Sequence, residues 1–213
     1  MRYYIADCHF FHEALNREMD HRGFASVEEM NEYMIKRWNE KVRNRDEVVI
    51  LGDLSMENAE QTNALLDRLQ GKLFLIVGNH DNRYLRSKTF HKERFGWIYP
   101  YAELHDDGRK VVLSHYPIAC YNGQYLKNKK GEPRTYMLYG HVHDSHDERL
   151  IEQYQQMVEK TRIPDRDGGT QSLSSHMINC FCMYSDYQPL SLDEWIALTK
   201  QRLIRCQNVE DSL

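Results

Sequence analysis

Apolar residues recur along this chain in two rhythms. Short runs rich in β-branched and aromatic residues, near 2–6, 47–51, 73–77, 110–114, 135–139 and 177–183, read as strands. Between them, apolar residues return every three or four positions, as helices require. The clearest helix opens at Ser26-Val27-Glu28-Glu29, where Ser26 and Glu29 can satisfy each other's free backbone donors. It continues through Val27, Met30, Met34, Trp38 and Val42 as one buried stripe. Further helices are expected near 58–69, 147–161 and 192–205, the last with Leu192, Trp195, Ile196, Thr199 and Leu203 at helical spacing. Residues 163–175, IPDRDGGTQSLSS, have turn chemistry and read as a mobile loop. Strands alternating with helices predict an α/β protein with a layered core, one domain over 1–213.

Composition alters this picture little. The 213 residues are 41% hydrophobic and 28% charged, with 11 Gly and 5 Pro, a balance suited to a folded chain that needs no disulfides to hold a core. Cys8, Cys120, Cys180, Cys182 and Cys206 are odd in number and lack C-x-x-C spacing, which argues against a disulfide framework or zinc ribbon. Cys180 and Cys182 are expected to share one face of a strand as small core residues. The start, MRYYIADCH, has no long apolar stretch, and no run of about 18 apolar residues follows. A cytoplasmic protein without a membrane partner is therefore expected. The net charge of −4 gives no global attraction to nucleic acid. Two basic stretches, 83–94 and 127–134, read first as solvated faces and second as contacts for an anionic substrate.

The strand ends carry the chemistry. After YYIA come Asp7 and His9; after VVIL comes Gly52-Asp53; after LFLIV comes Gly78-Asn79-His80-Asp81; after VVLS comes His115; after MLY comes Gly140-His141-Val142-His143. In α/β sheets the carboxyl ends of strands are where ligands bind, so these segments are expected to converge. On extended backbone, Asp7 and His9 would point to one side with Cys8 turned into the core, and His141 and His143 would repeat this around Val142. Glycines 52, 78 and 140 allow tight turns and close backbone approach. Asp7, His9, Asp53, Asn79, His115, His141 and His143 supply two carboxylates, one amide oxygen and four imidazoles. That is too many for one four-coordinate ion, so two are implied, with Asp53 the best bridge between them. Imidazole and oxygen donors without thiolate suit Mn²⁺, Fe or Zn²⁺, with Mn²⁺ favoured.

In this order, D-x-H, G-D, G-N-H-D, a later His and G-H-x-H resemble the calcineurin-like metallophosphoesterase superfamily. The stretches SVEEMNEYMIKRWNEKV, SHYPI and PLSLDEW resemble its small stand-alone bacterial and phage branch. The resemblance implies a four-layer α/β/β/α sandwich with two mixed sheets and a dinuclear metal site at the strand ends. It implies one ion on Asp7, His9, Asp53 and His143, and a second on Asp53, Asn79, His115 and His141. It also gives His80 a catalytic role instead of a ligand role. The implied chemistry is hydrolysis of a phosphate ester, a phosphodiester or nucleotide-like molecule, by a metal-bridging hydroxide, with His80 assisting the leaving group. Asp81 is expected to orient His80; Arg83 and His12 are candidates to contact substrate, and His146 to line the pocket. In HFFH, Phe11 stands where members of this branch often carry glycine. His21, His91, His105 and His176 read as surface or packing residues. The competing readings are a metal-dependent nuclease, for which the basic stretches would follow a backbone, and a catalytically silent interaction scaffold.

Overall fold

The apolar runs assemble into two four-stranded sheets. The first joins β1 (Arg2–Ile5), β2 (Glu47–Ile50), β3 (Lys72–Ile76) and β4 (Phe95–Tyr99), all parallel and in that order. Next along the chain come β5 (Tyr101–Asp106), β6 (Arg109–Ser114) and β7 (Thr135–Tyr139), then a small ribbon of β8 (Arg162–Pro164) and β9 (Thr170–Ser172), then β10 (Met177–Asn179). The second sheet has the order β10-β7-β6-β5, with β5 antiparallel to β6 and the other pairs parallel. The computed structural model describes residues 1–164 and 167–210, with side chains to residue 204.

Alternate side chains of the first sheet serve different cores, as the period of two demands. Tyr4, Ala6, Val49, Leu51 and Ile76 meet Val111, Leu113, Leu138 and Ile178 of the second sheet. Ile5, Val48, Ile50, Leu73 and Leu75 face the other way, onto Met30, Met34 and Trp38 of α1 (Val27–Lys41) and Leu65 and Leu66 of α2 (Ala59–Arg68). A single helical turn, α3 (Asn82–Leu85), follows β3. Val112, Met137 and Tyr139 turn outward toward Ile151 and Tyr154 of α4 (His146–Lys160). From α5 (Leu192–Glu210), Leu192 and Trp195 enter the core between the sheets, and Trp195 Nε1 donates to the Tyr4 carbonyl at 2.9 Å. The Ser26 cap forms: its hydroxyl accepts from Glu29 N at 3.2 Å, while Glu29 reaches back to Ala25 N at 2.8 Å. Trp38 is 1% exposed, and truncating a residue so placed costs about 3–5 kcal/mol. Among the described residues no helix is long and apolar enough to cross a membrane.

Several expectations change, the first being that of two mixed sheets: β1 to β4 pair in parallel throughout, and only the second sheet is mixed, through antiparallel β5. The pattern did not signal β4 and β5. Gly96 breaks the apolar run of β4 without breaking the strand, since a Cβ there would lie 2.3 Å from the Phe74 ring, and β5 is an edge strand with alternating partial exposure. The strand expected over 177–183 stops at Asn179, and the chain then turns through a 3₁₀ segment, Cys182–Ser185. Cys180 and Cys182 consequently enter different cores and do not share a face. The stretch 163–175 contains part of the β8–β9 ribbon; Asp165 and Arg166 lie outside the described residues, as do 211–213 and the Cys206 side chain.

Candidate metal centre

Five of the seven expected donors occupy left-handed backbone: Asp7 (φ 55°), His9 (46°), Asp53 (54°), His141 (71°) and His143 (50°). Few non-glycine residues do so, and each costs on the order of 1–2 kcal/mol. Asp7 and His9, like His141 and His143, therefore do not converge by strand alternation, as their spacing suggested. Each pair is turned inward by a tight bend just past its strand.

Backbone bonds hold these bends in place. Asp7 N–H donates to Gly52 O at 3.1 Å, His9 N–H to Asp53 O at 2.9 Å, and Gly140 N–H to His115 O at 2.9 Å. The sheets are joined where Ala6 N–H donates to Cys180 O at 2.7 Å and Cys182 N–H to Ala6 O at 3.0 Å. His141 N–H donates across the gap to both Asp7 carboxylate oxygens at 3.0 Å, and His80 N–H donates to Asp53 Oδ1 at 2.9 Å. Gly52, at φ 93°, makes the turn ahead of Asp53, whereas Gly78 and Gly140 permit contact: a Cβ on them would lie 2.2 Å from Asp53 Oδ1 and 2.5 Å from Asp7 Oδ2.

The ligand-capable atoms gather as two overlapping groups, Asp7 with His9 and His143, and Asp7 with Asp53 and His115, each within 4.8 Å. Asp53 Oδ2 also faces both halves, 3.5 Å from His9 Nε2 and 3.4 Å from His115 Nε2. Asn79 Oδ1 lies 2.9 Å from His115 Nε2 and 2.9 Å from His141 Nδ1. Donors bound to one cation at about 2.1 Å stand about 3 Å apart, so this spacing suits a shared ion. His115 Nδ1 donates to the Leu51 carbonyl at 2.8 Å, which leaves Nε2 for the centre. His9 gives the strictest test of fit: it is 3% exposed, and neither ring nitrogen has a hydrogen-bond partner. An imidazole buried in that way calls for a partner, and a cation held with Asp53 beside Nε2 would supply one of the two.

The electrostatics agree. Burial pushes the Asp7 carboxyl up to about 6 despite His143 and His115 nearby. For Asp53, burial is outweighed by the hydrogen bond and charge of His115 and by His9, which hold it down at about 2. Burial likewise loses at His115, where Asp53 and Asp7 raise the imidazole to about 9. The cluster thus attracts positive charge, and a cation binding there must displace protons.

The remaining expected residues separate. His80 is exposed, its ring 5.4 Å from that of His9. Asp81, expected to orient it, is wholly buried and turned away. Its carboxylate accepts from Asp53 N (3.0 Å), Leu54 N (2.9 Å), Gly78 N (2.7 Å) and Tyr84 Oη (2.6 Å), so it braces the turns beneath the site and has no reach to substrate. Arg83 is exposed on α3. His12 is half-buried, 5.7 Å from His9 by ring centroids, and its Nδ1 accepts from Leu15 N at 3.2 Å. Phe11 keeps a glycine-like φ of 68°, so the bend that presents His12 survives the side chain. His146 is 81% exposed at the start of α4, out in solvent. His21, His91 and His105 are exposed, and His176 is half-buried.

Sequence reasoning passed over Asp20, Arg22, Phe181 and Tyr116. Asp20 and Arg22 lie against His143 and the carbonyls of Asp7 and Cys8. Phe181 stacks on His143 with centroids 4.7 Å apart, and the exposed Tyr116 stands edge-on to His141 at 4.5 Å. Tyr116 lies within SHYPI, where only its neighbour His115 offers a metal donor; the other three belong to no recurring motif, and of them only the charge pair in Asp20-His21-Arg22 offered a signal, since exposure cannot be read from three letters.

A family model described as calcineurin-like phosphoesterase matches residues 3–195. The chain is 31% identical over 209 residues to the uncharacterized protein MJ1445 of Methanocaldococcus jannaschii, covering 97% of this chain and 96% of that one. It is 28% identical over 167 residues to the Gene 66 protein of Mycobacterium phage L5, covering 66% and 76% respectively. Its fold is similar to the crystal structure of AQ665, a protein of unknown function from Aquifex aeolicus, with a TM-score of 0.63 and 23% identity over 93% of this chain and 98% of that one. Since the matched region encloses every donor from Asp7 to His143, the chain belongs to the calcineurin-like phosphoesterase family.

Proposed function

We propose that the protein is a metal-dependent hydrolase of phosphate esters, acting on a phosphodiester or nucleotide-like substrate. The observation that carries this reading is His9, buried among carboxylates and imidazoles with both ring nitrogens unpaired. Asp7, His9, Asp53 and His143 would hold one divalent ion and Asp53, Asn79, His115 and His141 a second, with Asp53 shared; mixed nitrogen and oxygen donors without thiolate suit Mn²⁺, Fe or Zn²⁺, and Mn²⁺ is the ion tested first. Bound ions would supply Lewis acidity toward the phosphoryl group and a nucleophile at neutral pH. The three cores between sheets and helices support the four-layer sandwich that sets these residues at one end.

The chain's own residues do the rest. His80 stands exposed at the mouth, its backbone fixed to Asp53, and histidine is the side chain suited to pass a proton to a leaving oxygen near neutral pH. With Nδ1 of His12 occupied by Leu15 N–H, its Nε2 is free to donate to a phosphoryl oxygen. A cavity of about 400 Å³ bordered by Asp20, Phe181 and Tyr184 opens beside His143, with room for the second substituent of a diester. Tyr116 offers an exposed ring on the opposite flank.

The test is turnover with Mn²⁺ on an aryl phosphomonoester, an aryl phosphodiester, 2′,3′-cyclic nucleotides and single-stranded nucleic acid. Hydrolysis of a small ester is expected, and His80→Ala should keep its metal content while kcat falls about 10²- to 10⁴-fold. No turnover of any substrate by metal-loaded protein would return the chain to the scaffold reading. Unchanged kcat in the variant would remove His80 from the chemistry.

A further inference from the structure

Asp20 follows a π-helical turn, Leu15–Met19, and its two carboxylate oxygens serve different partners. Oδ1 lies 2.8 Å from His143 Nδ1. Oδ2 accepts from Arg22 Nε at 3.1 Å and Nη2 at 2.9 Å. The Arg22 side chain has no solvent exposure; it also donates to Cys8 O at 2.7 Å through Nη1 and to Asp7 O at 3.1 Å through Nη2, with a weaker contact from Nη1 to Met34 Sδ at 3.9 Å. One buried guanidinium therefore fixes the backbone of the Asp7–His9 bend and the carboxylate that meets the His141–His143 bend.

Arginine has only donors, so Asp20 must accept from it on one side. An ionised carboxylate can also accept on the other, from His143 Nδ1–H. That assignment leaves His143 Nε2 with its lone pair on the side of Asp7 Oδ1, 3.8 Å away. His115 reaches the same tautomer differently, through the neutral Leu51 carbonyl, so its orientation is independent of Asp20.

We infer that Asp20, oriented by Arg22, is a positioning residue that holds His143 in its ligating tautomer and so sets the affinity of the ion shared by Asp7, His9, Asp53 and His143. This role rests on the proposed ligand sets but not on the reaction. Asparagine at position 20 would have to keep its oxygen on Arg22 and turn its NH₂ toward His143 Nδ1. His143 would then carry its proton on Nε2, where it cannot bind a cation. The nearly isosteric change is thus predicted to harm binding at least as much as truncation, the reverse of what a packing role requires.

Mn²⁺ titrated calorimetrically into metal-stripped wild type, Asp20→Asn and Asp20→Ala reads this out. In both variants one of the two Mn²⁺ affinities should fall about 10- to 100-fold while the other stays, with Asn no milder than Ala. Wild-type affinities in Asp20→Asn, or a clearly milder effect than in Asp20→Ala, would overturn the role. Ring ¹⁵N shifts of neutral His143 in folded, metal-stripped wild type test it without any variant: a single ring proton on Nδ1 supports the role, and a single ring proton on Nε2 overturns it. Because affinity and tautomer are measured instead of turnover, failure to hydrolyse phosphate esters would count against the proposed function alone.

Discussion

Adding one methyl group at Gly78 would show how closely the turn after β3 is fitted to the metal centre. A Cβ there would lie 2.2 Å from Asp53 Oδ1, 2.5 Å from Asp53 N and 2.9 Å from Asp53 Cγ. Comfortable non-bonded separations are about 3.5 Å, so the carboxylate or the turn must retreat by about 1 Å. Gly78 does not sit in the left-handed region, so the methyl adds crowding without backbone strain. Misplacing a reacting or ligating group by about 1 Å costs about 10²-fold in rate, and overpacking costs about 1–3 kcal/mol of stability. For a chain of this length that is a fall of about 2–12 °C in melting temperature. Gly78→Ala should therefore bind Mn²⁺ more weakly in calorimetry, turn over an aryl phosphate ester about a hundredfold more slowly, and melt earlier by circular dichroism. Gly140→Ala presses on Asp7 Oδ2 at 2.5 Å and should act alike from the other sheet, whereas at Gly108 (φ 74°) a methyl meets nothing within 4 Å and should cost about 1 kcal/mol with activity intact. Full metal affinity and kcat in Gly78→Ala would refute the premise that the position of Asp53 governs the centre.

Two further substitutions separate scaffold from site. Asp81→Asn replaces one acceptor with a donor facing N–H and O–H groups at 2.6–3.0 Å, and should lower stability by about 1–3 kcal/mol in urea titrations; wild-type stability with lost activity would return Asp81 to the pocket. Glu148 is buried with Tyr139 Oη at 2.8 Å, and burial pushes its carboxyl from 4.5 up to about 7, against that bond and Arg202. A carboxyl raised in the folded state favours folding below its unfolded value and loses that contribution as pH climbs to about 7, a change of about 3 kcal/mol. Glu148→Gln should accordingly be more stable than wild type at pH 8 and near parity at pH 4.5, and equal urea midpoints at pH 8 would refute this.

The convergence of the candidate donors was legible because each follows a short apolar run rich in β-branched or aromatic residues, which reads as a strand, and strand ends converge in sheets of this kind. The way each donor is aimed was not legible. Spacing of two residues suggests a shared side on extended chain, but Asp7, His9, His141 and His143 lie just beyond the extended segments, where φ is set by tertiary bonds. Adjacency misled at Asp81, since successive residues in a tight turn face opposite ways: His80 outward, Asp81 into four donors. Cys180 and Cys182 fell to the same cause, a strand that ends sooner than its apolar letters do. Gly96 disguised β4, because close approach of the Phe74 ring looks like a break when only letters are visible. Asp20 and Arg22 lie more than ten residues from the bend they brace and follow no periodicity, so only their burial reveals them.

The left-handed backbone of these candidate ligands has an evolutionary consequence. At Asp7, His9, Asp53, His141 and His143, the conformation that serves chemistry is the one an L-amino acid resists. Glycine at any of them would relax the backbone while deleting a ligand, so selection for robustness and selection for catalysis pull these codons in opposite directions. A copy freed from its reaction would tend to drift toward glycine there first, gaining stability as it lost its metals.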